Sequence, residues 1–347
     1  MPGRSSAIRR IQRHPWASLD DEQLLDVRLC DLGLTLDRSP LARDVERLYA
    51  ELERRGLSLR PHCWLSEEWF SPDGVPGLAL PFYLAHPRLR RLERHMMCEV
   101  EGGNRNWFMR ILRHEAGHAF DNAYRLRRRR RWRETFGPAS LPYPDSYRPR
   151  PGSRRFVQHI GSWYAQSHPT EDFAETFAVW LKPGSRWRRD YAGWAAHAKL
   201  EYVDALMAEI AAHPPAVRSR VHVDPLAQDT RTLRQHYEAR LKRYAPPTRR
   251  DEDRLLRQVF RDDPGTQRLR ADTFLRRLRP KMHRVIAARE QCGEYLVHQV
   301  MRAAIHRSRE LQLYVAGDQR RAARELEDVL TRLVRAFARS AGRRLIL

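Results

Sequence analysis

The residues that could do chemistry in this sequence begin with a five-residue string, HEAGH, at positions 114–118. On a helix, positions four apart lie on one face, so His114 and His118 can direct their imidazoles at one metal ion. Glu115 is rotated by about 100° from His114, which suits a carboxylate that contacts a water at the metal without binding the metal itself. Imidazole pairs favour zinc among the common metals. The string therefore predicts a zinc site with Glu115 as general base.

A catalytic zinc site needs a third protein ligand and one open position for water. The pattern H-E-x-x-H-x-x-G-x-x-H is excluded, because Asp121 and Tyr124 stand where it requires Gly and His. The segment SHPTEDFAETFAVWL offers carboxylates instead, and Glu171 and Glu175 share one helix face because they are four apart. Two carboxylates on an otherwise apolar helix are costly unless something binds them. We assign Glu171 to the metal and expect Glu175 to accept the Nδ1–H of a ligating histidine, His114 in the first place.

Other interpretations of the second motif stay open at this point. Asp172 and His168 are further candidates for the third ligand. The acids could also face solvent near the start of their helix, where the helix dipole stabilises negative charge.

The elements that must position these residues are indicated by apolar periodicity and by helix breakers. A helix carrying the first motif is predicted over about 106–133. A second helix is predicted from Pro169, which suits the first helical position, to the Pro183-Gly184 pair. Residues 57–84 have a composition typical of short strands and turns. The pattern predicts an α+β fold that is predominantly α-helical, with a small sheet.

A boundary between domains is indicated at His213-Pro214-Pro215 and the polar stretch after it. We therefore predict a flexible basic arm over residues 1–17, a catalytic domain over 18–215 and an Arg-rich helical region over 216–347. Two apolar stripes at helical spacing are expected to form the core of that last region. The stripes are Leu296, Val297, Val300, Met301 and Ala304, and Leu326, Val329, Leu330, Leu333, Val334 and Phe337.

The composition is strongly basic, with 65 Lys plus Arg against 43 Asp plus Glu and a formal net charge of +22. This charge favours an anionic partner such as nucleic acid, acidic lipid or acidic peptide, or it forms only a well-solvated surface. The run RLRRRRRWR at 125–133 could track phosphates. Consecutive arginines, however, point to all sides of a helix and form no single stripe. The alternatives to a plain zinc hydrolase are a nucleic-acid-associated basic protein, which includes a zinc protease recruited to nucleic acid, and a zinc scaffold without catalysis.

The cysteines and the N-terminal segment indicate the cellular compartment of the protein. The four cysteines form no C-x-x-C pair, which argues against a cysteine zinc ribbon and a dense disulfide framework. No apolar run approaches 18 residues, and the N-terminal segment lacks the apolar region of a secretory signal. We expect a cytoplasmic protein, with an organelle transit peptide as the less favoured interpretation of the Arg- and Ser-containing N-terminus.

The two motifs together resemble those of known metallopeptidases. HEAGH followed by EDFAE resembles the glutamate-zincins, in particular the lethal-factor-like metallopeptidases, in which a tyrosine precedes the ligand glutamate by seven residues. Here Tyr164 precedes Glu171 by seven. Residues from about 30 to 208 are also similar to a bacterial family called putative zinc-binding metallopeptidases. Segments that carry this similarity are HCWLSEEWFSPDGVPG, ILRHEAGHAFDNAYRL and WYAQSHPTEDFAETFAVWL.

The resemblance implies a zincin-like catalytic domain, one catalytic Zn²⁺ and a peptide or protein substrate. It implies that the Tyr164 hydroxyl stabilises the oxyanion while a water activated at zinc, with Glu115 as its base, cleaves a peptide bond. The alternative that the protein is an amidase acting on a non-peptide substrate stays open. Zincins often bind peptide along a sheet edge, and VPGLALPFYL, with its two prolines, is the candidate edge strand.

Overall fold

The computed structural model describes residues 14–97, 100–144, 147, 150, 152–161, 163–244, 250–264, 269–290 and 294–341. Over these residues the protein is mostly helical, with small sheets of two strands. The prediction of an α+β, predominantly helical fold is confirmed. Within the described ranges, no helix combines the length and the apolar character needed to span a membrane.

The chain forms two compact units, described here as far as their residues are. The first lies within Met1–Tyr143 and Pro149–Leu241, and the second within Pro144–Arg148 and Lys242–Leu347. The predicted domain limits stay predictions. Part of the segment after residue 215 belongs to the first unit, where Trp64 Nε1 donates to the Val223 carbonyl at 2.9 Å. The predicted basic arm falls largely outside the described residues, and Trp16 at its end is buried.

The first unit is built from helices around the two motifs. Its α-helices are α1 (Asp21–Leu25), α2 (Leu41–Glu53), α3 (Pro87–Met97), α4 (Arg105–Tyr124), α5 (Arg130–Phe136), α6 (Pro169–Leu181), α7 (Trp187–Asp190), α8 (Ala195–Ala211) and α9 (Leu233–Tyr244), whose last residues pass the limit of the unit. Its 3₁₀ helices are Pro15–Ser18, Leu29–Leu32, Phe82–Ala85, Leu126–Arg128, Tyr164–Gln166 and Leu226–Gln228.

The helix of the first motif ends earlier than predicted. α4 stops at Tyr124 because Arg125 has a left-handed backbone, with φ 51°, and its amide donates to the Asp121 carbonyl. The Asp121 carboxylate then accepts the Arg127 amide at 2.8 Å and Arg127 Nε at 2.7 Å, which fixes the turn. The predicted single helix over about 106–133 is therefore wrong, and the arginines that follow α4 lie in a 3₁₀ turn and in α5.

α4 and α6 approach each other closely because residue 117 has no side chain. A Cβ on Gly117 would lie 2.9 Å from the Cα of Ala174, closer than such atoms come. α6 begins as its sequence predicts, with Pro169 in the first turn, and the His168 ring accepts the Thr170 amide. The polar residues of the two motifs thus meet at one helix–helix interface.

The remaining faces of these helices are covered by aromatic packing. Phe120 of α4 lies 5.2 Å from Phe177 of α6, measured between ring centroids. Phe173 contacts Trp132 and Phe136 of α5 at 5.9 and 5.5 Å. Buried aromatic pairs of this kind contribute large apolar areas to a core, so the interface that carries the polar motifs is held rigidly from outside.

The first unit also contains a small parallel sheet, formed by β1 (His62–Ser66) and β2 (Gly77–Pro81). Every residue of β2 is buried. On the side away from β1, the Ala79 amide donates to the Phe70 carbonyl at 2.8 Å. The expectation that this strand is a free edge for a peptide is therefore wrong at Ala79.

The second unit contains a short antiparallel pair, β3 (Phe260–Arg261) and β4 (Tyr314–Val315), and four helices in the described ranges. These are α10 (Arg250–Leu256), α11 (Ala271–Glu290), α12 (Glu294–Glu310) and α13 (Gln319–Ala341). The predicted stripe on α13 lies in the core, with Leu326 and Leu330 fully buried, and Val300 and Met301 represent the stripe of α12. Leu296 and Phe337 have side chains outside the described set.

Candidate metal centre

Three side chains from α4 and α6 converge on one point. Nε2 of His114 and Nε2 of His118 lie 3.1 Å apart, as one turn of α4 dictates. Oε2 of Glu171 lies 3.0 Å from the first and 3.2 Å from the second. His114 and Glu171 are buried and His118 is partly exposed, so the cluster opens to solvent on one side.

The donor set and its spacing fit a zinc ion. With bonds of about 2.0–2.1 Å in a tetrahedral site, two ligand atoms lie roughly 3.3 Å apart. The three separations of 3.0–3.2 Å are close to that value. Two imidazoles and one carboxylate also form a known ligand set of catalytic zinc, which leaves a fourth position free. In the described part of the chain, this is the one cluster of three or more such side chains that could hold a metal.

Glu175 orients one of the imidazoles. Its Oε1 lies 3.0 Å from Nδ1 of His114, and its Oε2 accepts the backbone amides of His159 and Ile160 at 3.2 and 3.0 Å. The carboxylate is fully buried, and these donors compensate for its loss of water. A carboxylate in this position fixes the ring orientation and the tautomer of a ligating histidine.

The charges of the cluster are strongly coupled. Burial raises the pKa of the Glu171 carboxyl, but His118 and His114 outweigh burial and hold that pKa well below its usual value. Burial lowers the pKa of His114, whereas hydrogen bonds to Glu171 and Glu175 raise it to about 10. In the absence of metal the raised pKa thus favours a protonated His114, which places one positive charge beside the two carboxylates. Such a site binds a cation in competition with protons.

Glu115 and Tyr164 lie beside the cluster. Burial raises the pKa of the Glu115 carboxyl, and the neighbouring His114 and His118 oppose that rise. The Tyr164 ring is 5.4 Å from the His114 ring, measured between centroids. Burial, with the Glu171 and Glu115 carboxylates nearby, raises the pKa of the Tyr164 hydroxyl well above its usual value. This hydroxyl stays protonated and able to donate.

Sequence reasoning missed Tyr143, whose hydroxyl donates to Oε1 of Glu171 at 2.7 Å. The residue lies in the loop between α5 and α6, which has no periodicity and no recognisable spacing to either motif. Tyr143 also contacts Thr170 and His168 at the start of α6, and of these only His168 was singled out in the sequence, as a candidate ligand. No pattern of residue types pointed to this tyrosine.

The other candidate ligands, Asp172 and His168, have partners elsewhere, and so have three further histidines of the first unit. Asp172 pairs with Lys199 Nζ at 2.5 Å, and its burial raises the pKa of the carboxyl to about 7. His168 lies against the Leu141 carbonyl at 2.9 Å. The His159 ring contacts the Arg110 carbonyl at 3.0 Å, so only its backbone amide serves the cluster. His62 stacks on Trp64, and His86 packs edge-on against Trp16, apart from the cluster.

Part of the Arg-rich run after α4 is engaged in ion pairs within the chain. Arg127 binds Asp121 and Asp73, at 2.7 and 2.8 Å. Arg129 pairs with Glu209 at 2.6 Å, and Arg130 with Glu134 at 2.7 Å. These pairs reduce the positive charge that the run can offer to phosphates.

Comparison with known proteins agrees with the chemistry of the cluster. Residues 89–229 match the model of a protein family described as "Putative zinc-binding metallo-peptidase". The matched segment includes His114, His118 and Glu171, together with Glu115 and Tyr164. Searches of curated proteins and of solved structures found no match. The resemblance to this family is confirmed over the segment, and at a coarse level it supports a zinc hydrolase or peptidase.

Proposed function

We propose that the chain is a zinc metallopeptidase whose metal is held by His114, His118 and Glu171. The observation that carries the proposal is the convergence of one ligand atom from each residue at separations of 3.0–3.2 Å. Buried acids and histidines on two tightly packed helices would be costly if they served only the fold. A cation at their centre accounts for their burial.

Glu175 would prepare His114 for the metal. With Nδ1–H donating to Oε1 of Glu175 at 3.0 Å, the lone pair of Nε2 faces the cluster. The His159 and Ile160 amides hold the carboxylate in turn. The ligand geometry is therefore supported from behind by groups that need no movement during the reaction.

The reaction proposed is hydrolysis of a peptide bond. A zinc ion in this site would supply a Lewis acid that lowers the pKa of water to about 7. Glu115 would accept the proton of the attacking water and pass it to the leaving amine. The protonated Tyr164 hydroxyl would donate to the oxyanion of the tetrahedral intermediate. Glu171 and Glu175 keep their charges throughout and hold the histidines in place.

Competing functions have less support. A zinc scaffold has no use for a buried Glu115 beside the ligands. A nucleic-acid-associated protein would need free arginines, whereas several in the run after α4 are paired with carboxylates. An amidase acting on a non-peptide substrate uses the same chemistry and differs only in the substrate.

The test is zinc content by elemental analysis of wild type, Glu171→Ala and Glu115→Gln, combined with a mass-spectrometric screen for cleavage of a peptide library. We expect about one zinc per chain in wild type. Glu171→Ala should lose the zinc and the cleavage, because two imidazoles alone hold zinc weakly. Glu115→Gln should keep the zinc and lose about 10²–10⁴-fold in rate.

The matched control is Glu201→Ala, since Glu201 is an exposed glutamate on the neighbouring helix α8. Zinc and cleavage should both persist in that variant. Full zinc in Glu171→Ala would overturn the ligand assignment. Unchanged cleavage by Glu115→Gln would overturn the assignment of the base.

A further inference from the structure

The two oxygens of Glu171 have different surroundings. Oε2 faces Nε2 of His114 and Nε2 of His118 at 3.0 and 3.2 Å. Oε1 accepts the Tyr143 hydroxyl at 2.7 Å. The carboxylate is buried, so each of its oxygens depends on these particular partners.

The phenol that holds Oε1 is itself fixed. Its ring stacks on the His168 ring with centroids 4.0 Å apart and planes inclined by 17°. Its hydroxyl also contacts the Thr170 hydroxyl. His168 in turn lies 2.9 Å from the Leu141 carbonyl, in the same loop as Tyr143. Contacts between the start of α6 and this loop thus hold the Tyr143 side chain in place, although half of its surface is exposed.

We propose that Tyr143 is a positioning residue that restricts Glu171 to one ligating oxygen. A carboxylate can bind a metal through one oxygen or through both. Binding through both would occupy the position that a catalytic zinc site keeps open for water. By donating to Oε1, Tyr143 holds that oxygen away from the metal and leaves Oε2 as the ligand. The inference rests on the proposed function, because it assumes that a metal binds here.

Tyr143 therefore differs in role from Tyr164. Tyr164 would donate to the substrate during the reaction, whereas Tyr143 acts through Glu171 before substrate arrives. The half-exposed ring of Tyr143 remains in a phenylalanine variant, so any contact of the ring with substrate is kept when only the hydroxyl is removed.

The experiment compares wild type and Tyr143→Phe after replacement of zinc by Co²⁺, whose visible absorption weakens as its coordination number rises. We expect both proteins to bind the metal, with a weaker visible band in Tyr143→Phe because Oε1 joins the coordination. With zinc, kcat should fall about 10–100-fold at an unchanged KM. Tyr49→Phe is the matched control, because it removes a hydroxyl that donates to the Pro61 carbonyl at the same 2.7 Å, away from the cluster.

The outcomes separate the two proposals. If wild type binds neither cobalt nor zinc, the proposed function fails, and this inference fails with it. If both proteins bind cobalt and the band of Tyr143→Phe equals that of wild type, the role of Tyr143 alone is overturned. Weaker metal binding with an unchanged band would likewise reduce Tyr143 to a merely structural residue.

Discussion

The interface between α4 and α6 and the core of the second unit are both made of packed helices, yet they bury different residues. α6 buries three acids, Glu171, Asp172 and Glu175, and α4 buries His114 and Glu115 opposite them. The core of the second unit consists of aliphatic and aromatic side chains from α10 to α13 and the strands between them. Its arginines lie mainly on the surface, in ion pairs such as Arg335 with Glu290.

This difference indicates what each region is for. Burying an apolar side chain stabilises a fold by about 1.5–3 kcal/mol, whereas burying a charge costs stability unless it is paired. The hydrophobic cluster of the second unit follows the first rule, and the polar side chains buried in the described part of this unit are few: Asp272, His298, Ser308 and Thr331. The α4–α6 interface buries charges in spite of this loss of stability. Each buried acid of α6 has a cation or a hydrogen-bond donor beside it. We infer that this interface is organised for chemistry and the second core for stability.

Replacing Tyr164 by phenylalanine should sharpen this contrast most. A single donor to an oxyanion is typically worth about 10²–10³-fold in kcat, so Tyr164→Phe should lose that much activity. Zinc content should not change, because the hydroxyl is not one of the three proposed ligand groups. Single-turnover kinetics and elemental analysis provide the measurements. Tyr124→Phe removes a hydroxyl on α4 that contacts the His213 carbonyl and serves as control. A Tyr164→Phe enzyme at the wild-type rate would remove this residue from the mechanism.

Replacing Glu175 by glutamine should have the next largest effect. The amide would present an NH₂ group toward His114 or toward the His159 and Ile160 amides, so at least one hydrogen bond to the carboxylate is lost. We expect zinc to bind about 10–100-fold more weakly, as is typical when the partner of a ligating histidine is changed. Competition with a chelator measures this. Glu201→Gln provides an exposed control on α8. Equal zinc affinity in Glu175→Gln and wild type would show that Glu175 is buried for packing alone.

Periodicity explains how much of this interface could be predicted from sequence. Spacings of four residues, in His114 with His118 and in Glu171 with Glu175, place each pair on one helix face whatever the rest of the fold does. The demand of buried charges for partners then predicts that the two faces meet. In the structure the two faces meet, and Oε1 of Glu175 lies 3.0 Å from Nδ1 of His114.

What could not be predicted depends on contacts without a period. Tyr143 reaches Glu171 from a loop, and the donors to Glu175 at His159 and Ile160 are backbone groups that any residue would supply. The turn after α4 occurs at Arg125, which is neither glycine nor proline, because the Asp121 side chain stabilises it. Glycine is required at position 117 because a Cβ there would meet the Cα of Ala174, which lies on another helix. Apart from the turn at Arg125, which depends on a local side-chain contact, these features arise from tertiary packing, which local sequence patterns do not encode.

A substitution in the core of the second unit should have the smallest effect on zinc content and cleavage. It also tests most directly the contrast between this core and the α4–α6 interface. Leu330 of α13 is fully buried, so Leu330→Ala should cost about 2–5 kcal/mol of unfolding free energy through lost contacts and a cavity. Urea denaturation followed by circular dichroism measures that cost, with exposed Arg324→Ala on the same helix as a control expected to lie within about 0.5 kcal/mol of wild type. Below the unfolding transition, zinc content and the rate of cleavage should equal those of wild type, because no ligand group or base lies in this core. Loss of zinc from folded Leu330→Ala would mean that the second core sets the geometry of the metal cluster, and the division between a chemical interface and a stabilising core would fail.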